Sequence, residues 1–203
     1  TKMLNSYYSQ AVEGINKSVM RMVNIINHLK EFGRQEQGKD EVVDIHHVIE
    51  NSFFLLEKQL SNRNIKVIKN YVTDILPVRM CPQNIEQVFI NLLVNARDAV
   101  KDSTVKEIQI STTFDKDYVY VSVADTGTGI PDNIRDKIFQ PFFTTKPQNE
   151  GTGLGLSIIH SILKDHQGEI NIAPFQLGRG ALFTIKLPLT TSSEEINYGP
   201  EKS

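Results

Sequence analysis

Tryptophan is absent from the 203-residue chain, and cysteine occurs once, as Cys81. A single thiol excludes a disulfide framework and a cysteine-built zinc cluster, and it fits a reducing compartment. No apolar run approaches the roughly 18 residues that span a bilayer, and Thr1-Lys2-Met3-Leu4-Asn5 lacks the layout of a secretory signal. Charge is not in excess either. Lys and Arg total 22 against 24 Asp and Glu, a formal net charge of −2, with no long run of one sign. A general nucleic-acid binder normally carries a basic surplus, so nucleic acid is not expected as a partner. What remains is sufficient for a core. Apolar residues make up 39% of the chain, and the length suits one α/β domain with about 30–50 residues to spare.

The chain divides at a hinge. Leu4, Tyr8, Ala11, Ile15, Val19, Met22, Ile26 and Leu29 recur at alternating intervals near three and four, the seam of a helix seeking a partner helix. That seam runs about 38 Å, too long for one small domain edge to cover. A chain that opens on Thr1 already within a helical pattern is expected to be cut from a longer protein. The piece reads as soluble, and the parent's relation to a membrane stays open. Gly33 to Asp40 then interrupts the pattern with two glycines and mostly polar residues, as a linker does.

Beyond it the elements mix. Short strands are expected at Val42–Ile45 and Ile65–Tyr71, and a helix over Ile45–Leu60. A turn falls at Leu76-Pro77, and a strong helix runs from Pro82 to about Lys101. Alternating strands follow at Glu107–Phe114 and Tyr118–Ala124, then an irregular stretch to Thr152. A helix over Leu154–His166 is ended by Gly168 as its C-cap, and Glu169–Ala173 and Ala181–Leu187 close the sheet. From Ser192 the chain is polar and without period, as in a frayed tail. This order is not strict βαβα alternation, so a mixed sheet covered by helices is expected.

Four segments carry chemistry. On the helix from Pro82, Asn91, Asn95 and Asp98 fall within roughly 60° of one another, while Ile85, Phe89, Leu92 and Ala96 lie to one side. Such a stripe is either a solvated face or a set of hard, neutral amide ligands suited to Mg²⁺ already bound to phosphates. In Val123-Ala124-Asp125-Thr126-Gly127-Thr128-Gly129, alternation puts Asp125 on the same side as Val119, Val121 and Val123. A carboxylate ending a buried row needs a partner, either a purine amino group or a turn N–H. Gly127 and Gly129 would let a flat ring lie close to the chain. Phe139, Phe142 and Phe143 anchor a loop that turns polar and basic through Thr144-Thr145-Lys146. It reads as a core-contacting loop and as the hinge of a mobile lid offering Lys146 to phosphates. Finally, Gly151-Thr152-Gly153-Leu154-Gly155 enters a helix, where exposed N–H groups favour phosphate oxygens. It is neither a Walker loop nor a Rossmann fingerprint, because G-x-x-x-x-G-K-[ST] is absent and the spacing here is G-x-G-x-G.

Taken in this order the four segments resemble the N, G1, F and G2 boxes of the histidine-kinase catalytic domain. Its ATPase superfamily includes type II topoisomerases, a heat-shock chaperone and a mismatch-repair protein. The resemblance covers about residues 44–189. Asn95-Ala96-Arg97-Asp98-Ala99 and Pro141-Phe142-Phe143-Thr144-Thr145-Lys146 lean towards the nitrogen-regulatory branch of sensor kinases. Residues 1–37, with Met20-Arg21-Met22, Asn27-His28-Leu29 and Phe32-Gly33-Arg34, look like the second helix of the dimerisation hairpin and its linker. Residues 38–190 would then be the catalytic domain and 191–203 the tail. The family implies a two-layer α/β sandwich with a mixed sheet of about five strands backed by three helices. It implies ATP and Mg²⁺, with Asn91 and Asn95 as the catalytic pair, Asn95 as metal ligand, Asn91 assisting at metal or phosphates, Asp98 among the ATP-binding residues, and Asp125 accepting from the adenine amine. Gly127 and Gly129 would line the base pocket. Gly151, Thr152, Gly153, Leu154 and Gly155 would shape the lid end beside the phosphates, near Lys146. It further implies a cytoplasmic domain with no membrane contact of its own. Its partners would be a response-regulator receiver domain and the protein's own hairpin in a homodimer.

The departures are informative. Many sensor kinases place a basic residue three positions after the metal asparagine. Here Asp98 stands there, so Lys146 becomes the main source of phosphate-neutralising charge. Hydrolases of the superfamily carry a glutamate base four positions before that asparagine. Asn91 is an amide and cannot take a proton from water, which favours transfer over hydrolysis. None of His28, His46, His47, His160 and His166 is followed by an acidic residue with Pro five positions on, the pattern of the phosphorylated histidine. The chain is therefore expected to bind ATP without phosphorylating itself. Two other roles share the motifs: a different ATPase or serine kinase of the superfamily, and a non-catalytic nucleotide sensor.

Overall fold

The computed structural model describes Val12, Gly14 and residues 38–147, 151–175 and 180–190. The amphipathic seam from Leu4, with the linker up to residue 37 and the tail from residue 191, lies outside the described residues.

Alternation of period two builds the larger sheet. Ile108, Ile110 and Thr112 of β4 (Glu107–Phe114), Val119, Val121 and Val123 of β5 (Tyr118–Asp125), and Ala181, Phe183, Ile185 and Leu187 of a last strand (Ala181–Pro188) are all buried. They form one apolar face. In chain order the elements are β1 (Glu41–Asp44), α1 (Ile45–Ser61), β2 (Lys66–Asn70), β3 (Pro77–Met80), α2 (Pro82–Ala99), β4 and β5. A 3₁₀ turn (Asp132–Lys137), α3 (Gly155–Asp165), β6 (Glu169–Pro174) and β7 (Ala181–Pro188) complete it. The five-stranded sheet has the order β2-β4-β5-β7-β6, with β2 and β4 parallel and the other pairs antiparallel. It is the mixed sheet expected, backed by three helices. Period 3.6 supplies the covering layer: Ile85, Val88, Phe89, Leu92, Leu93 and Ala96 bury one side of α2. That burial fixes the rotation of α2 and so decides where Asn91, Asn95 and Asp98 project. No helix among the described residues is long and apolar enough to cross a membrane.

The structure corrects three local expectations. Leu76-Pro77 is not only a turn, because Pro77–Met80 pairs antiparallel with β1 in a separate two-stranded sheet. Proline is tolerated as the first residue of a strand, and four residues are too few to show a period. Asp44 joins this ribbon to α1, accepting from His46 N–H at 3.2 Å as N-cap and from Leu76 N–H at 3.3 Å. Second, the stretch after Asp125 is not wholly irregular, since it contains the 3₁₀ turn. Third, the left-handed residue that ends α3 is Gln167 (φ 57), one before Gly168. Gly168 N–H reaches Leu163 O at 2.7 Å and Gln167 N–H reaches Lys164 O at 3.2 Å, the paired bonds of a Schellman end. Gly168 is small for another reason: a Cβ there would sit 2.9 Å from Leu187 Cδ2 and 3.0 Å from Lys186 O. Gln167→Gly is expected to stabilise the domain by about 0.5–1 kcal/mol, seen as a melting temperature raised by about 1–4 °C.

Candidate nucleotide site

Asn91 and Asn95 stand one turn apart on α2, half-buried, and meet the first residue of α3. Asn91 Nδ2 donates to Gly155 O at 3.4 Å, and its Oδ1 accepts from Gln87 Nε2 at 3.1 Å. A Cβ on Gly155 would lie 3.8 Å from the Asn91 amide and 3.9 Å from Asn95 Nδ2. No side chain caps the start of α3, so its first N–H groups and both amides share one corner. The glycine-rich segment and the amide stripe, separated by about 60 positions in the chain, are thus brought together as expected. The donor set there is neutral oxygen, and among the described residues no group of three or more His, Cys, Asp or Glu is placed to hold a metal ion. That chemistry fits a Mg²⁺ that arrives on phosphates and takes one or two protein oxygens.

Asp125 ends β5, with only 3% of its surface exposed. Gly127 N–H donates to its Oδ1 at 2.8 Å, and Ala181 N–H lies 3.4 Å from the same atom. Of the two partners open to this carboxylate in the sequence, the turn N–H is therefore present, on one oxygen. Oδ2 accepts no hydrogen bond among the described residues. Burial pushes the Asp125 pKa up, against the two backbone bonds, which pull it down. Thr126 ties the turn to the sheet, donating to Val105 O at 2.7 Å and accepting from Glu107 N–H at 3.0 Å. Gly127 is packed where a Cβ would stand 2.6 Å from Ala99 O. The Asp125 turn therefore abuts the end of α2, about one helical turn beyond Asn95.

The aromatic loop behaves differently from expectation at one residue. Phe139 and Phe143 pack against the core, but Phe142 is 58% exposed. Its positive φ of 66 turns the side chain outward. Across the loop, Gly153 (φ 68) presses on the Phe142 backbone so closely that a Cβ could not fit. Gly151 likewise abuts Thr144 and Lys146, and Leu154 is buried. The segments on either side of residues 148–150 therefore lean on each other. Thr152 Oγ1 faces Leu154 N–H at 3.4 Å. Lys146 Nζ meets Asp98 Oδ2 at 2.6 Å.

Two features escaped sequence reasoning. Gly180 (φ 74) lies against the carbonyl of Asp125, where a Cβ would collide with the oxygen, and Gly129 (φ 72) would bring a Cβ to 2.8 Å from Gly180 O. The glycine of Gly178-Arg179-Gly180 that opens an alternating strand was the available signal. The other is the cation cluster on Asp98, because Arg97 folds back to bond its neighbour at 2.7 and 2.9 Å. Three histidines within the described residues make packing or hydrogen-bond contacts: His46 stacks on Tyr71 and bonds Thr112, His160 lies against Phe139, and His166 bonds Ile162 O and Asp40; His47 is exposed. His28 lies outside the described residues.

Comparison with known proteins places the chain in a family. The family described as histidine kinase-, DNA gyrase B- and HSP90-like ATPase matches residues 81–191. Sensor kinase CckA of Brucella abortus is 32% identical over 93% of this chain and 21% of its own length. Sensor histidine kinase ZraS of Escherichia coli K12 is 32% identical over 92% of this chain and 39% of its own. The chain thus spans well under half of these relatives. The solved catalytic domain of histidine kinase ThkA is 33% identical, with a TM-score of 0.66, covering 74% of this chain and 96% of that domain. ThkA in complex with response regulator protein TrrA gives a TM-score of 0.73 at 29% identity, covering 87% of this chain and 49% of that one. With all four motifs inside or bordering the matched residues, the chain belongs to the histidine kinase-, DNA gyrase B- and HSP90-like ATPase family.

Proposed function

We propose that residues 38–190 are the ATP-binding catalytic domain of a two-component sensor histidine kinase, working in the cytoplasm. The observation that carries the reading is Asp125: a nearly sealed carboxylate with Oδ1 held by backbone N–H groups and Oδ2 left to accept the adenine amine. Gly127 and Gly129 keep that wall flat for the base. The start of α3, from Gly151 to Gly155, meets the phosphates with N–H groups. Asn95, assisted by Asn91, would hold Mg²⁺, which screens phosphate charge when bound. The chain's own part in such a transfer is placement and charge stabilisation. A histidine nitrogen on the dimerisation hairpin attacks the γ-phosphorus as the bond to the β-phosphate oxygen breaks, and ADP leaves. The phosphoryl group then passes to an aspartate of a response-regulator receiver domain. Asn91 in place of a carboxylate base supports transfer over hydrolysis.

The test is incubation with γ-labelled ATP and Mg²⁺, with and without a separately supplied sensor-kinase hairpin bearing its phosphorylatable histidine. Label is expected on the hairpin and not on this chain. Label on this chain would mean that it carries its own acceptor: acid-labile label on one of its five histidines, acid-stable label on a hydroxyl, as in a serine kinase. Release of inorganic phosphate with no labelled protein would favour an ATPase. Binding with neither outcome would favour a nucleotide sensor.

A further inference from the structure

Asp98 is the most heavily paired carboxylate near the amide stripe. Its Oδ1 accepts from Arg97 Nε and Nη2 at 2.9 and 2.7 Å, with Arg63 Nη1 at 3.4 Å. Its Oδ2 accepts from Lys146 Nζ at 2.6 Å. Three cationic side chains thus surround one carboxylate, and they come from three places: the turn after α1, α2 itself, and the loop after Phe143. Arg97 is fixed a second time by Gln59 Oε1 on α1 at 2.6 Å, whereas Lys146 has Asp98 as its one ion-pair partner among the described residues. Asp98 lies three positions after Asn95 on the same helix, where side chains are neighbours about 5–6 Å apart at Cβ.

A carboxylate in that place repels a polyphosphate unless neutralised, and Arg63 and Arg97 supply the neutralisation. A triphosphate offers Lys146 more negative charge than one carboxylate does, and at short range in a half-buried setting that difference decides the partner. Resting on the nucleotide reading above, we propose that Asp98 is a positioning residue, a latch that holds Lys146 until the phosphates of ATP take the ammonium from it. Asp98 itself makes no contact with the nucleotide. The latch makes phosphate binding a competition: each ATP bound must break the Lys146–Asp98 pair. It also ties the loop around Thr144 to α2 when no such anion competes.

The experiment compares ATP·Mg²⁺ and adenosine by calorimetry on wild type, Asp98→Asn, Lys146→Met and the double variant, each checked for an unchanged circular dichroism spectrum. Asparagine keeps an acceptor for Arg97 but turns a donor towards Lys146. Asp98→Asn is expected to bind ATP about five- to tenfold more tightly, with adenosine unchanged within about twofold. In the Lys146→Met background the same change is expected to gain about twofold or less. Without nucleotide, amides of Phe143–Lys146 are expected to exchange hydrogen faster in Asp98→Asn. An ATP affinity that falls or stays level in Asp98→Asn overturns the latch, as does a gain that survives intact with methionine at position 146. Wild type that binds neither ATP nor adenosine overturns the nucleotide reading instead, and the competition with it.

Discussion

Asp125→Asn is expected to lose ATP affinity by about 100-fold or more while the protein melts no lower than wild type. The two effects part because the carboxylate has two oxygens with different duties. Oδ1 accepts from Gly127 N–H and Ala181 N–H, and an asparagine Oδ1 can accept both. Position Oδ2 becomes an NH₂, a donor facing the donor amine of adenine, and nothing nearby can resolve that mismatch. Stability moves the other way. Burial raises the Asp125 pKa in the fold, so the stability linked to its protonated form is fully present below the ordinary carboxylate value of about 4. That contribution is lost as pH rises through the raised value. At neutral pH wild type therefore keeps a buried charge at a cost that asparagine removes. A thermal melt of both proteins between pH 4 and 8 should show the gap in favour of Asp125→Asn opening as pH rises. Wild-type ATP affinity in the variant, or a melting temperature that drops sharply, would contradict this division of roles.

Gly180→Ala is expected to be the most damaging small change in the domain. Its φ of 74 disfavours any side chain, and the methyl group would run into the Asp125 carbonyl oxygen, which is backbone and cannot swing aside. Left-handed strain of about 1–2 kcal/mol adds to overpacking of about 1–3 kcal/mol, so a loss near 3 kcal/mol is expected, or about 6–12 °C in melting temperature. Because Gly180 O also limits Gly129, the shift would spread to the base pocket, and ATP affinity should fall with stability. Urea unfolding together with calorimetry measures both. Gly180→Ala with wild-type stability would mean that the contact between the start of β7 and the end of β5 gives way more easily than its packing indicates.

What could be read in advance follows from the range of the interactions. Asn91, Asn95 and Asp98 share a face because a helix fixes their angles, and Asp125 is buried because a strand fixes its side; both depend on neighbours within a few residues. Residues 151–155 were legible for the same reason. Gly180 was not, because its constraint comes from Asp125, more than 50 positions away, matched only when β7 pairs with β5. Phe142 looked like a third anchor, but its backbone is left-handed and its side chain exposed, with Gly153 packed against that backbone across the loop. Arg97 projects about 100° from Asp98 by helix angle alone, yet a long flexible side chain can fold back onto the next residue when a half-buried carboxylate attracts it. Burial raises the Asp98 pKa, but Lys146 and Arg97 outweigh it and hold the group below the ordinary range. Strand β3 was missed for want of length.

The most direct measurement replaces one functional group on the ligand. Inosine triphosphate carries an exocyclic carbonyl oxygen, with a proton on the adjacent ring N1, where adenine carries its amine, and it leaves the phosphates, ribose and Mg²⁺ unchanged. Calorimetry of the wild-type chain should show ATP·Mg²⁺ binding at least about 100-fold more tightly than inosine triphosphate, because a carbonyl oxygen facing Asp125 Oδ2 sets acceptor against acceptor. Equal affinity for the two nucleotides would show that Asp125 does not read the base.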